Sequence, residues 1–417
     1  MPRARRLTLL TALAALLLPA LLARPAQADP ATGDVFREYR MATQMWRVGQ
    51  RHEWGGANWG VNLPLRPTRH EQAPAYEVDL DGAVRAEVQV GYDQCHGGTT
   101  GLAIAFNDHE YLRLPVPDTI PEPKAGYMFR PFPTINVPLE HLRSGENQFK
   151  FRIDAEPREP GDEGWYQNLV YNVVLRVYYD ESKPHPTGEI TSPASDSEIG
   201  RTATIAARVE PAESPIAKVE FIGFYEDFDR DGDGIYREYQ RAYDDDPACS
   251  VVGIIGLAEQ SPWQVAWDTS WLPDQKGPMH IAALVSDESG MTYMTPEARN
   301  VRLVRPNLSV EMCPPYNVPS GWVTRKGRME ANFDVTGDPA KATAAKMLFH
   351  AWGGNDGAGG WVNETEIPHF KSGKPVPVEA LRQGQNTIAN AKGGHHGLEI
   401  CWPGPVVLIQ YETEGEE

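Results

Sequence analysis

Beyond its first two dozen residues the sequence has no apolar run of membrane-spanning length. It also has few cysteines, too little positive charge to balance its acids, and no sustained helical periodicity. Each shortage removes a class of protein. Without a later stretch of about 20 apolar residues, no membrane span is expected after residue 28. With Lys+Arg 39 against Asp+Glu 57, the chain repels nucleic acid and anionic lipid, so no nucleic-acid partner is expected. Cysteine occurs only as Cys95, Cys249, Cys313 and Cys401, in no Cys-x-x-Cys or Cys/His zinc spacing. Gly-x-Ser-x-Gly and His-Glu-x-x-His are both missing, which leaves no recognisable nucleophile elbow or zinc-protease helix. The Gly-rich stretch 353–360 lacks a Lys-Ser/Thr and a following helix, so it is no phosphate loop.

What is present begins with an export signal. Arg3, Arg5 and Arg6 precede the apolar stretch Leu9 to Leu22, and Ala26-Gln27-Ala28 has the small-x-small form of a cleavage site. Residues 1–28 are therefore expected to be removed, leaving a mature chain from Asp29 that is secreted, periplasmic or held at the cell surface. The general secretory route is expected, since Arg5-Arg6-Leu7-Thr8-Leu9 only loosely resembles a twin-arginine signal. Losing Arg3, Arg5, Arg6 and Arg24 takes the formal charge from −18 to −22. In an oxidising compartment a disulfide is the default for cysteines that meet, and Cys313 with Cys401, both in the C-terminal part, is the expected bridge.

Gly 38 and Pro 36 punctuate many short Val/Ile/Tyr/Phe runs, the pattern of β-sandwiches. One segment recurs. Val137-Pro138-Leu139-Glu140-His141-Leu142-Arg143-Ser144-Gly145-Glu146-Asn147 matches Val376-Pro377-Val378-Glu379-Ala380-Leu381-Arg382-Gln383-Gly384-Gln385-Asn386 at seven of eleven positions. It predicts a strand ending at Val-Pro, a short turn, a Gly with positive φ and an Asn closing the turn before the next strand. Val173 to Tyr178 and Val406 to Tyr411 follow as closing strands. Upstream, Arg85 to Val90 is set against Arg328 to Phe333, and Leu102 to Asn107 against Met347 to Trp352.

This strand, Leu-Arg-x-Gly-x-Asn, strand arrangement resembles the galactose-binding-like jelly rolls appended to glycoside hydrolases and polysaccharide lyases. Between the two copies, Pro262-Trp263-Gln264-Val265-Ala266-Trp267-Asp268-Thr269-Ser270 and the following Met279 to Val285 resemble the end of a bacterial immunoglobulin-like module of secreted glycan-active enzymes. The resemblances imply an all-β chain: a jelly-roll sandwich over 29–183, an immunoglobulin-like sandwich over 187–305, and a second jelly roll over 306–417.

The sharpest chemical motif interrupts the middle part. Asp227, Asp229, Asp231 and Asp233 alternate with other residues, and Gly232 and Gly234 let the loop curl. A register from Asp227 places Glu238 as the terminal bidentate acid. A register from Asp229 places Gly234 at the turn and Gln240 at the end. Either way the acids repel unless neutralised, so a structural Ca²⁺ is expected on Asp227, Asp229, Asp231, Asp233 and Glu238, against the alternative of a solvated hairpin tip.

Planar aromatics on Gly-rich loops are candidate sugar platforms: Trp54 and Trp59 near the N-terminus, Trp352 and Trp361 near the C-terminus, with Asn355 and Asp356 available for hydroxyls. The competing reading places these tryptophans in the cores. His96 and His109 are set beside Asp93 and Glu110 as a candidate acid/base cluster, against ordinary loop residues. Three functions stay open: a non-catalytic binder of a glycan or cell-envelope polysaccharide, a lyase or glycoside hydrolase with its site in a jelly-roll cleft, or a structural envelope protein.

Overall fold

The computed structural model describes residues 30–48, 75–94, 99, 101–153, 168–244, 248–322, 327–352, 359–368, 370–391 and 398–412. The expected signal, residues 1–28, lies outside this set, as does Cys95. Within it the chain is all-β, and the helical elements are single 3-10 turns such as Leu139–His141 and Val378–Ala380. No described helix is long and apolar enough to cross a membrane.

Alternation builds the strands. In Gly145–Arg152, Asn147, Phe149 and Phe151 point inward while the residues between them face out. The N-terminal sandwich packs a sheet of Val35–Val48, Asn168–Tyr179, Ala83–Gln94 and Thr134–Val137 on a sheet of Ala75–Val78, Gly145–Arg152, Ala103–Phe106 and Leu112–Arg113. The C-terminal sandwich packs Leu308–Cys313, Val406–Glu412 and Ala344–Leu348 on Met329–Val335, Gly384–Ala391, Gly359–Val362 and Thr365–Glu366. Between them, the sheet of Thr187–Ser192, Thr202–Glu210 and Gln264–Asp268 shares a core with Ile216–Glu226, Met279–Asp287 and Ala298–Leu303.

The recurrent segment makes the same hydrogen bonds at both ends. Asn147 accepts from the Arg143 N–H (2.9 Å) and donates to the carbonyls of Arg143 (2.6 Å) and Gly145 (2.8 Å). Asn386 does the same with Arg382 (2.8 and 2.7 Å) and Gly384 (2.8 Å). A second asparagine clasps each: Asn107 donates to the His141 carbonyl and Asn147, as Asn363 donates to the Ala380 carbonyl and Asn386. Gly145 and Gly384 adopt φ of +92° and +81°, as the turn requires.

The strands upstream correspond differently from the sequence expectation. Asn107 and Asn363 close Ala103–Phe106 and Gly359–Val362, so Gly359–Val362, rather than the stretch around Met347, takes the place of Ala103–Phe106. Likewise Ala83–Gln94 and Ala344–Leu348 correspond, each pairing with its closing strand on the side away from Val35–Val48 and Leu308–Cys313 respectively. Neighbouring strands carry similar apolar alternation, which tells inward from outward but not one strand from the next.

The units are joined along their sheets. Val35–Val48 pairs with Asn168–Tyr179 on one side and with Met291–Met294 on the other, which carries one sheet from the N-terminal sandwich into the middle unit. Asn168–Tyr179 is buried along its whole length because both faces are covered. Val173, Leu175 and Val177 fill the N-terminal core, while Val174 meets Tyr243 and Cys249, and Leu169 and Tyr171 meet Cys401.

Candidate metal centre

The acidic loop caps a hairpin in which Phe224 pairs with Tyr239, Tyr225 with Glu238 and Glu226 with Arg237. The Asp227 N–H still donates to the Tyr236 carbonyl at 2.8 Å, so Asp227 continues the ladder and the curl begins after it. Gly232 and Gly234 then take φ of +70° and +86°. Their N–H groups donate to the Asp229 carboxylate at 2.6 and 2.7 Å, and the Asp233 N–H adds a third bond at 3.2 Å. This wrapping brings one oxygen each from Asp229, Asp231, Asp233 and Glu238 within 4.8 Å of one another.

Four of the five expected acids therefore gather. Asp227 does not join them, since its Oδ1 accepts from the Phe228 N–H and it faces Arg230 and Lys346. Neither sequence register holds whole. The turn follows the one that starts at Asp229, yet the terminal acid is Glu238, on the paired strand. Gln240 accepts from the Arg230 N–H at 3.0 Å and serves as a strut for the loop.

Burial pushes the Asp229 carboxyl well above its usual range, with Asp231 and Asp233 adding to the shift. Glu238 is pushed up to about 11 by burial and by Asp231, Asp233 and Asp229. Asp231 Oδ1 and Glu238 Oε1 are buried without a hydrogen-bond partner. Carboxyl oxygens that converge in this way, and that burial and one another make costly to ionise alone, form the donor set of a hard cation. Asp229, Asp231, Asp233 and Glu238 are the residues that could hold one.

The loop belongs to the middle unit, yet the two outer sandwiches grip it. Thr119 Oγ1 donates to the Asp233 carbonyl and itself accepts from Trp402 Nε1 at 3.2 Å. His350 Nε2 lies 3.0 Å from the Asp229 carbonyl, to which it donates, and its ring packs on Phe228. Burial lowers the His350 pKa to about 4, so the ring is neutral at pH 7. A Cβ on Gly232 would collide with the Arg130 carbonyl; one on Gly234 would lie 2.6 Å from Thr119 Oγ1 and 2.9 Å from Trp402 Nε1. Glycine is needed here for docking as much as for positive φ. Thr119, Arg130, His350 and Trp402 carry no motif, and nothing in their sequence neighbourhoods marks them.

The other expected residues are spread widely. Asp93 is not beside His109: it is buried, paired with Arg130 at 2.6 and 2.8 Å, and accepts from the Tyr171 hydroxyl at 3.0 Å. His109 instead stacks on His141, close to Glu110. Trp352 packs with Met128, Leu169, Tyr171 and Cys401, at a contact between sandwiches. Trp361 lies on the outward side of Gly359–Val362 beneath Arg328, whose guanidinium is 5.1 Å from the ring centre. Trp54, Trp59, His96, Asn355 and Asp356 lie outside the described residues.

The expected Cys313–Cys401 bridge is not formed. Both are buried free thiols, Cys313 in the C-terminal core and Cys401 against Leu169 and Tyr171 of the N-terminal sandwich. Being in one part of the sequence does not place two cysteines on one side of a sheet.

One flank of the loop faces a cleft. Gly234, Ile235 and Tyr236 form part of the wall of a space of about 1180 Å³, lined also by Asp274 of the middle unit and by Glu311 and Tyr411 of the C-terminal unit.

No family model matches this chain, and no curated protein matches it. Among solved structures it is similar to the fibronectin(III)-like modules of Clostridium thermocellum CbhA, at 13% identity over 55% of this chain and 80% of that one, with a TM-score of 0.19. A DUF4785 family protein of Legionella pneumophila is 10% identical over 93% of this chain and 86% of that one, with a TM-score of 0.25. A β-glucuronidase of Ruminococcus gnavus is 9% identical over 68% of this chain and 48% of that one, with a TM-score of 0.23.

Proposed function

We propose that this chain is an exported, non-catalytic carbohydrate-binding protein of the cell surface or periplasm, whose binding cleft is shaped by a structural Ca²⁺ on Asp229, Asp231, Asp233 and Glu238. In this reading the outer sandwiches are galactose-binding-like jelly rolls descended from one ancestor, and the middle unit is immunoglobulin-like. The carrying observation is that one loop does two things. Its carboxylates converge with unpartnered oxygens, and its flank, Gly234 to Tyr236, walls the cleft. Millimolar extracellular calcium suits an oxygen-only site of this kind. Aromatic and apolar surface at Tyr236, Ile235 and Tyr411, next to the carboxylates of Asp274 and Glu311, is the mixture that hydroxyl-rich ligands use. The acidic net charge places no field penalty on a neutral glycan.

The test is a polysaccharide screen of the mature protein, read for both retention and released product. Retention in calcium, reduced by chelation and by Ile235→Arg in the cleft, is the expected result. Absence of retention on every glycan would remove the binding role, and release of reducing ends or of an unsaturated product would replace it with an enzyme.

A further inference from the structure

A second group of metal-ligating side chains lies in the N-terminal sandwich, in a different unit from the acidic loop. His109, Glu110 and His141 each bring one donor atom within 4.8 Å of the others. His141 is 3% exposed, and its Nε2 lies 3.2 Å from Glu110 Oε1. His109 and Glu110 are exposed on the turn after Asn107, and the two imidazoles stack with centres 4.4 Å apart. The Asn107 side chain joins the two halves of the group, because it donates to the His141 carbonyl at 2.8 Å.

The C-terminal sandwich shows what this frame needs for folding. There Asn363 makes the same bond to the Ala380 carbonyl, and Thr365 follows Asn363 at the spacing at which His109 follows Asn107. The clasp is thus built without either imidazole. His141 Nδ1 has no hydrogen-bond partner, and Nε2 faces the Glu110 carboxylate of the same group. Glu110 has a counterpart in Glu366, but the two histidines stand where the fold accepts threonine and alanine, and a pair of imidazoles added beside a carboxylate points to a ligand.

We propose that His109, Glu110 and His141 form a solvent-open site for a borderline divalent transition metal, of the Zn²⁺ or Co²⁺ class, with the remaining position open to water or an external donor. Imidazole suits such ions and disfavours calcium, so the site is chemically distinct from the acidic loop. A 3.2 Å separation between His141 Nε2 and Glu110 Oε1 matches two ligands at about 2.1 Å from one ion. His109, on an exposed turn, completes the set by turning its ring out of the stack.

The untagged mature protein, saturated with Ca²⁺ so that the acidic loop is satisfied, is titrated calorimetrically with Zn²⁺ and spectroscopically with Co²⁺. Tight uptake of about one equivalent is expected, with the visible absorption of a low-coordinate cobalt site. His109→Thr and His141→Ala, which install the C-terminal side chains, should each weaken it by roughly 100-fold, and Asp231→Asn should leave it unchanged. The proposal is overturned if the wild type takes up no Zn²⁺, or if His109→Thr binds it as tightly as the wild type. His109 is exposed, so that variant decides the matter even if His141→Ala folds poorly.

Discussion

Gly232 shows how one residue serves two constraints. Its φ of +70° favours glycine, and the space where a side chain would begin is taken by the Arg130 carbonyl of the N-terminal sandwich. Gly232→Ala should therefore cost about 2–4 kcal/mol, more than strain in an isolated loop would cost. Chemical denaturation reads this directly, and a loss below about 0.5 kcal/mol would mean that the loop is not clamped. Asp231 poses the opposite problem, since its cost depends on the ion. In calcium, Asp231→Asn should lower the melting temperature and abolish the calcium-dependent part of it. In chelator the same change should be neutral or stabilising, because it removes one of several like charges. A variant that melts below the wild type by the same margin in both conditions would show that Asp231 has no part in cation binding.

At the scale of the element, the Leu-Arg-x-Gly-x-Asn turn is a closed hydrogen-bonded unit. Asn147 and Asn386 are both fully buried, with their amide groups bonded to main chain on either side and to a second asparagine. Asn147→Ala or Asn386→Ala leaves several buried backbone groups unpaired, and should destabilise its own sandwich by roughly 3 kcal/mol. Limited proteolysis should then cut first in the sandwich that carries the change; equal cleavage in both would count against an independent clasp. Much of this turn was legible in the sequence, because Asn147 and Asn386 bond within four residues of themselves. The second asparagine was not, since Asn107 and Asn363 come from other strands.

At the scale of the molecule, two groups of charges among the described residues lie buried at seams between the units. One is the acidic loop gripped by Thr119 and His350. The other is a buried network on the sheet shared by the N-terminal and middle units. In it Glu38 binds Arg176 at 2.8 Å and Arg241 at 2.8 Å, and Glu220 binds Arg241 at 3.0 Å. Burial raises the Glu220 pKa, but Arg241, Lys218 and Arg40 outweigh it and hold the carboxyl at about 2. A depressed folded-state pKa means that this stabilisation is complete above the unfolded value of 4.5 and is lost as pH falls towards 2. The amount is about 3 kcal/mol. Glu220→Gln should therefore lose stability at neutral pH and show a shallower acid limb; an acid limb parallel to that of the wild type would refute the assignment. Chelation should act separately, loosening both outer sandwiches at once. Small-angle scattering should show a larger radius of gyration in chelator, and unchanged dimensions would mean that docking does not depend on the loop.

Composition and local pattern determined the all-β class, the turn at each Leu-Arg-x-Gly-x-Asn segment and the gathering of acids in one loop. All of these depend on alternation, on glycine's freedom and on neighbours a few residues away. Only the tertiary structure decided that Asp227 leaves the acidic cluster, that Asp93 pairs with Arg130, that Cys313 and Cys401 stay apart, and that His141 meets His109 and Glu110. The physical reason is the same in every case. A period of two tells which way a side chain points, whereas its partner across a sheet or between sandwiches is set by strand order and docking, which the local pattern does not encode.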